Sequence, residues 1–123
     1  MKPNYLTILI TTLCIFFNAC HNSNTAPQLQ LADSLIDKRA DSALCILEKL
    51  SIEEISNKSA KAMYALLLTE ALDKNFKSHR NDSLILIAVD YYKDNSNNKL
   101  KTKAYYYLGR VYQDNRQRMQ EIM

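Results

Sequence analysis

Apolar residues recur at helical spacing along most of the chain from residue 29 onward. Residues separated by three, four and seven positions lie on one face of an α-helix. Short polar connections separate the groups, so consecutive helices should lie antiparallel as hairpins. The pattern therefore predicts an all-α chain with helices over residues 29–36, 41–50, 57–72, 83–92 and 99–113.

The composition agrees with an all-α fold. One Gly and two Pro among 123 residues are too few for the many turns of a β-sandwich or a β-barrel. The chain has 47% hydrophobic and 24% charged residues, which is typical of one small globular domain. The net charge of +3 is too small to indicate a nucleic-acid partner or a membrane surface.

Polar residues precede several of the predicted helices and suggest N-terminal caps. A side-chain oxygen at this position accepts a hydrogen bond from a free amide of the first turn. Ser51 and Glu54 have the spacing of a capping box, in which each satisfies an amide near the other. The predicted caps are Asp41 or Ser42, the Ser51–Glu54 box, and Asn81 or Asp82.

Two dipeptides recur at nearly the same distance. Asp41-Ser42 returns as Asp82-Ser83 after 41 residues, and Lys61-Ala62 returns as Lys103-Ala104 after 42. Each pair stands at the start of a predicted helix. This agreement between two places predicts a repeated helix pair.

The first twenty residues resemble an export signal. Lys2 precedes an uncharged run of 13 residues, Tyr5–Phe17, and Ala19-Cys20 follows that run closely. The run is shorter than the roughly 20 apolar residues of a membrane-spanning helix, and it fits a signal-peptide core. A small residue before cysteine at this place resembles the bacterial lipobox.

The lipobox resemblance implies removal of residues 1–19 as a signal peptide and acylation of Cys20. The acyl chains would anchor the protein to a membrane of the cell envelope, facing the periplasm in a Gram-negative-type cell. Residues 20–28, which include Pro27, would form a flexible tether. Plain secretion and an uncleaved anchor are the alternatives. Cys45 then has no cysteine partner, and we expect it to be a buried structural thiol.

Residues 101–112 carry the most specific pattern in the chain. Tyr105, Leu108, Gly109 and Tyr112 share one helical stripe, which we expect to be buried. A glycine inside a helix costs about 1 kcal/mol relative to alanine, so we expect a neighbouring helix to pass close to Gly109. The pattern resembles the first helix of a tetratricopeptide repeat, with Tyr105 at the usual tryptophan position.

This resemblance extends over residues 30–115 and is narrower for bacterial tetratricopeptide-repeat lipoproteins. It implies a repeat domain over residues 29–123, with about two and a half stacked hairpins in an α-solenoid. Another type of α-hairpin array is the alternative. Residues 116–123 are too few for the second helix of the last hairpin. We therefore expect an amino-terminal part of a longer member; a complete short form is expected to pair as a homodimer.

The resemblance also implies a protein-interaction or sensory scaffold, in which a concave groove holds a peptide or protein segment. The alternatives are a nonfunctional truncated product and a small structural envelope lipoprotein. We expect the candidate partner-binding residues to be exposed; they are Tyr106, Arg110, Lys61, Thr69 and Gln113.

Enzymatic and nucleic-acid functions find little support in the sequence. No phosphate loop, nucleophile motif or metal-ligand spacing occurs, so we predict no catalysis, no cofactor and no metal. Adjacent tyrosines and lysines are also features of single-strand binding surfaces. However, Lys101 points away from the face that Lys99 and Lys103 share, so no continuous basic stripe forms.

Overall fold

The computed structural model describes residues 25–79 and 81–123. Over these residues the chain forms five α-helices and no strand, which confirms the predicted all-α class. The predicted signal peptide and Cys20 lie outside the described residues. The helices are α1 (Thr25–Leu35), α2 (Ala40–Glu48), α3 (Lys58–Lys74), α4 (Ser83–Tyr92) and α5 (Asn98–Ile122), with a 3-10 turn at Ile52–Glu54.

The central helix, α3, has well-defined ends. Its N-cap is Asn57, whose side-chain oxygen accepts hydrogen bonds from the amides of Ser59 and Ala60 at 2.8 and 3.3 Å. At its C-terminus, the Lys77 amide donates to the Leu72 carbonyl at 2.9 Å. Phe76 takes a φ of 57° to allow this closure, a backbone region that usually favours glycine.

Two of the predicted caps are wrong. α2 begins at Ala40, before Asp41, and Arg39 holds the N-cap position without a side-chain hydrogen bond. Asp41 instead pairs with Arg39 at 3.6 Å. The Ser51 hydroxyl donates to Glu53 at 2.5 Å, because the chain makes a 3-10 turn there instead of an α-helical start.

Two further boundaries differ in detail from the sequence prediction. Residues 25–28, predicted to belong to the tether, lie instead in α1, which begins at Thr25. Pro27 is compatible with this start because first-turn amides need no partner inside the helix. Before α4, the Asn81 side-chain oxygen accepts from the Ser83 amide at 3.0 Å, whereas Asp82 makes no capping bond.

The helices pack so that α3 is surrounded. α1 and α2 pack against each other and both contact α3. α4 packs on α3, and α5 packs on both α4 and α3. α1 and α5 thus both contact α3, and these three helices are called the front layer below.

Two apolar clusters form the core, and α3 contributes to both. One face of α3, including Tyr64 and Leu67, packs with α1 and α2. Its other face, including Leu66, packs with α4 and α5. Cys45 is exposed, contrary to prediction, because Leu44 and Leu47 take the core-facing positions of α2.

α5 continues for 25 residues, past the break that the sequence predicts near residue 113. Asp114 and Asn115 favour turns, but both side chains have partners that leave the helix intact. Asp114 accepts from the His79 amide at 2.8 Å, and Asn115 accepts from Arg118. The segment predicted to start a second helix is therefore the end of α5.

The buried stripe of α5 is displaced from the predicted one. Ala104, Tyr107 and Val111 are buried against α3 and α4. Tyr105 and Tyr112 are 49% and 51% exposed, so their predicted burial is wrong. Leu108 is partly buried and packs against the apolar cluster that contains Ala104, Tyr107 and Val111. The predicted close crossing at Gly109 is also wrong, because a Cβ placed there meets no atom within 4 Å.

Candidate binding groove

A groove of about 1100 Å³ lies between α1, the first half of α3 and the connection from α4 to α5. Its apolar lining comes from all three helices of the front layer. The lining also includes several asparagines and serines, so the surface is mixed. The principal apolar residues are Leu29, Ala60, Met63 and Leu100.

Three asparagines on the rim are fixed by hydrogen bonds to the backbone. The side-chain oxygens of Asn57 and Asn97 cap α3 and α5, and that of Asn95 accepts from the Asn97 amide at 2.9 Å. Within residues 25–79 and 81–123, the Nδ2 groups of these three residues donate no hydrogen bond. These amide groups therefore remain available as hydrogen-bond donors.

The charged residues of the groove are acidic. Asp33 and Glu54 line it, and no Lys, Arg or His is among its described lining residues. Asp33 lies near the Tyr92 phenol: burial, then Tyr91 and Asp33, raise the pKa of Tyr92 above its ordinary value. Tyr91 and Tyr92 pack edge to face, with ring centroids 5.1 Å apart.

A network of ion pairs joins the three front helices beyond the groove. Glu70 of α3 is only 2% exposed and contacts two ammonium groups, Lys74 at 3.3 Å and Lys103 of α5 at 2.5 Å. Lys74 also binds Asp37, just after α1, at 2.6 Å. A buried carboxylate without cations is costly, so Glu70 requires this arrangement.

Two titratable groups respond to this network. The hydrogen bond and charge of Lys74 lower the pKa of Asp37 below its ordinary value. Burial, followed by the charges of Glu70 and Asp73, raises the pKa of Tyr107. Tyr107 is therefore a neutral phenol throughout the physiological pH range.

The loop between α3 and α4 is fastened to α5 around His79. The His79 amide donates to Asp114, and its carbonyl accepts from Arg118. Its buried imidazole lies 3.8 Å from Asp73, measured from Nε2 to Oδ1. Asp73 also pairs with Arg110 of α5 at 3.0 Å. These contacts position α5 against the end of α3.

The five candidate partner-binding residues do not converge on this groove. Thr69 is buried and donates to the Ala65 carbonyl at 2.7 Å, so its predicted exposure is wrong. Lys61 is partly buried, while Tyr106 is 60% exposed as predicted. Arg110 and Gln113 bond to each other at 2.9 Å beside a separate cavity of about 190 Å³.

Sequence reasoning missed Glu70 and Asp33, and the sequence contained a signal for only the first of them. Glu70 falls on the apolar face of its helix, where a carboxylate indicates buried ion pairing. Asp33 sits in the predicted first helix as one polar residue among others, and nothing local marks it as part of a groove. Its proximity to Tyr92 depends on tertiary packing alone.

Comparison with known proteins adds no family to this description. No protein-family model matches the chain, and no curated protein or solved structure matches it either. Residues 25–79 and 81–123 contain no group of three His, Cys, Asp or Glu side chains placed to hold a metal ion. None of the described helices is long and apolar enough to cross a membrane.

Proposed function

We propose that this protein is a lipid-anchored scaffold of the cell envelope that holds a peptide or protein segment in the groove between α1, α3 and α5. The repeat array would be a tetratricopeptide-like solenoid without catalytic activity. Its partner would be another protein, with neither nucleic acid nor a cofactor involved.

The observation that carries this proposal is the packing order of the helices. α1 packs with α2, α3 packs with α4, and α1 and α5 both contact α3, an order of contacts that a stack of hairpins would have. The ends of the front layer enclose a groove with apolar floor residues and fixed amide groups at its rim. Grooves of mixed polarity between stacked hairpins suit extended peptide segments.

The proposed anchor rests on residues 1–20 of the sequence. An uncharged run followed directly by Ala19-Cys20 is typical of a lipidated export signal. Two or three acyl chains on Cys20 would hold the protein at a membrane, whereas a single chain would bind it only marginally. The groove would then lie near the membrane, because Thr25 at its edge follows Cys20 by only five residues.

Site-specific photocrosslinking tests the scaffold. We expect benzoylphenylalanine in place of Met63, on the groove floor, to capture a defined partner in the cells that make this protein. The matched control is the same replacement at Leu86, which is exposed on α4 and outside the groove. Equal products at both positions, or none at Met63, would contradict the proposal.

Lipidation is tested separately by following a labelled fatty acid into the full-length chain. We expect label and membrane association in the unchanged protein, and loss of both in Cys20→Ala. The Cys45→Ala variant is the control because Cys45 is a free, exposed thiol. Continued labelling of Cys20→Ala would refute the anchor without bearing on the groove.

A further inference from the structure

We propose that the groove recognises a cationic side chain, Arg or Lys, of an extended peptide, and that Asp33 binds this side chain beside Tyr91 and Tyr92. The inference rests on the proposed scaffold function and identifies the chemistry of the segment that it would hold.

Charge complementarity is the first argument. The described lining of the groove carries the carboxylates Asp33 and Glu54 and no cationic side chain, although the whole protein has a net charge of +3. A cation entering the groove therefore meets only opposite charges on its lining. An anionic segment would meet like charges and would have to lose hydration as well.

Asp33 also differs from the carboxylates that hold the fold together. Asp37, Glu70 and Asp73 each pair with a Lys or Arg. Within the described residues, Asp33 takes part in no ion pair or hydrogen bond. Its carboxylate is available to a ligand, and binding would not break a structural contact.

The neighbouring aromatic pair strengthens the preference for a cation. Tyr91 and Tyr92 both line the groove, and their rings pack at an interplanar angle of 86°. Asp33 is close enough to Tyr92 to raise the pKa of its phenol, after the effects of burial and Tyr91. Aromatic rings attract cations electrostatically, and a guanidinium group can use a ring and a carboxylate together.

The remainder of the groove fits the peptide that would carry this side chain. The Nδ2 groups of Asn57, Asn95 and Asn97 are available for backbone carbonyls. Met63 and Leu100 offer apolar contact to other residues of the segment. The predicted ligand is therefore an extended segment with a basic residue between small and aliphatic ones.

The test uses two end-capped heptapeptides with Leu and Ser around a central residue, which is Arg in one and citrulline in the other. Citrulline has nearly the shape of arginine but no charge. Binding to the full-length chain in a non-ionic detergent is measured by titration calorimetry. We expect the Arg peptide to bind about tenfold more tightly, with a smaller advantage at high salt.

Variants assign this advantage to its residues. Asp33→Asn should remove the preference for Arg over citrulline, because the amide keeps the shape but loses the charge. Tyr91→Leu should weaken Arg binding about threefold if the ring acts on the cation. Glu121→Gln is the control, since it makes the same charge change at an exposed position outside the groove.

Each outcome bears on one proposal. Equal affinity for the Arg and citrulline peptides, or an unchanged preference in Asp33→Asn, overturns the cation site and leaves the scaffold standing. Absence of binding by both peptides also overturns the cation site. The scaffold itself is then judged by crosslinking at Met63, which requires no assumption about ligand charge.

Discussion

α3 and α5 both belong to the front layer, yet their surroundings differ. α3 has eight buried residues among 17, and four other helices pack around it. α5 has three buried residues among 25, and its apolar stripe with Tyr105, Tyr112 and Met119 stays exposed. Two helices of similar role therefore have unequal burial because neighbours cover one of them on more sides. Apolar character in a sequence defines which residues can be buried, while packing determines which of them are.

The largest expected difference comes from truncating one side chain in each helix. Leu67→Ala should lower the free energy of unfolding by about 2–5 kcal/mol, because Leu67 is fully buried in α3. Tyr112→Ala should change it by less than about 0.5 kcal/mol, since half of that side chain is exposed. Urea unfolding followed by circular dichroism measures both. Comparable losses would show that the face of α5 is covered in solution.

The ion-pair network between the two helices gives the next largest effect. Lys103→Met removes one of the two cations at buried Glu70 and should cost about 1–3 kcal/mol in urea unfolding. In a Glu70→Gln background the same replacement should cost less than about 1 kcal/mol, because the buried charge is gone. Lys99→Met is the exposed control. A cost that does not depend on Glu70 would refute the proposed coupling.

Alkaline pH should expose a further contrast between buried and exposed tyrosines. Burial raises the pKa of Tyr64, Tyr92 and Tyr107 above the ordinary value, so the folded chain keeps these phenols neutral. The unfolded chain ionises them from about pH 10. The contribution of these tyrosines to the free energy of unfolding is intact below that pH. Above it, the free energy of unfolding falls by up to about 1.4 kcal/mol per pH unit for each tyrosine.

Urea unfolding between pH 9 and 11 measures this slope. We expect Tyr107→Phe to reduce the loss of stability with rising pH, because phenylalanine cannot ionise. Tyr106→Phe is the matched control, because it makes the same replacement at a mostly exposed side chain. The same slope in both variants would contradict the role of burial.

The smallest effect concerns the glycine of α5. Gly109→Ala should raise the free energy of unfolding by about 0.5–1 kcal/mol, because alanine is the better helix former and nothing occupies the space of its Cβ. Thermal unfolding by calorimetry is sufficient to detect the change. Destabilisation would indicate that another segment packs against this position. The burial of α5 would then be more similar to that of α3.

The sequence predicted the helices more reliably than their contacts. α3 was predictable because Asn57, a helical apolar pattern and a polar loop all indicate the same boundaries. The length of α5 was not predictable, since Asp114 and Asn115 favour turns locally. Their side chains accept hydrogen bonds from His79, which is distant in sequence, and from Arg118.

The buried stripe of α5 was displaced because its position also depends on distant residues. Ala104, Tyr107 and Val111 have the same helical spacing as the neighbouring aromatic stripe, and only the positions of α3 and α4 select between them.

The groove was the least predictable part. Asp33, Tyr91 and Leu100 belong to three different helices, and no local spacing relates them. Buried pairing of Glu70 could have been inferred from its place on an apolar face, but its partner Lys103 lies 33 residues away. Long-range contacts of this kind depend on how the hairpins stack.

The continuity of α5 also has a mechanical consequence. Leu100 lines the groove near one end of this helix, and Ile122 is at the other end. The Arg110–Asp73 ion pair lies between them, with arms of about 15 and 18 Å on its two sides at 1.5 Å per residue. Asp114 and Arg118 fasten the arm beyond Arg110 to the loop around His79, so α5 would not tilt about Asp73 without moving that loop. Opening or narrowing of the groove at Leu100 would therefore be transmitted along α5 to the connection between α3 and α4.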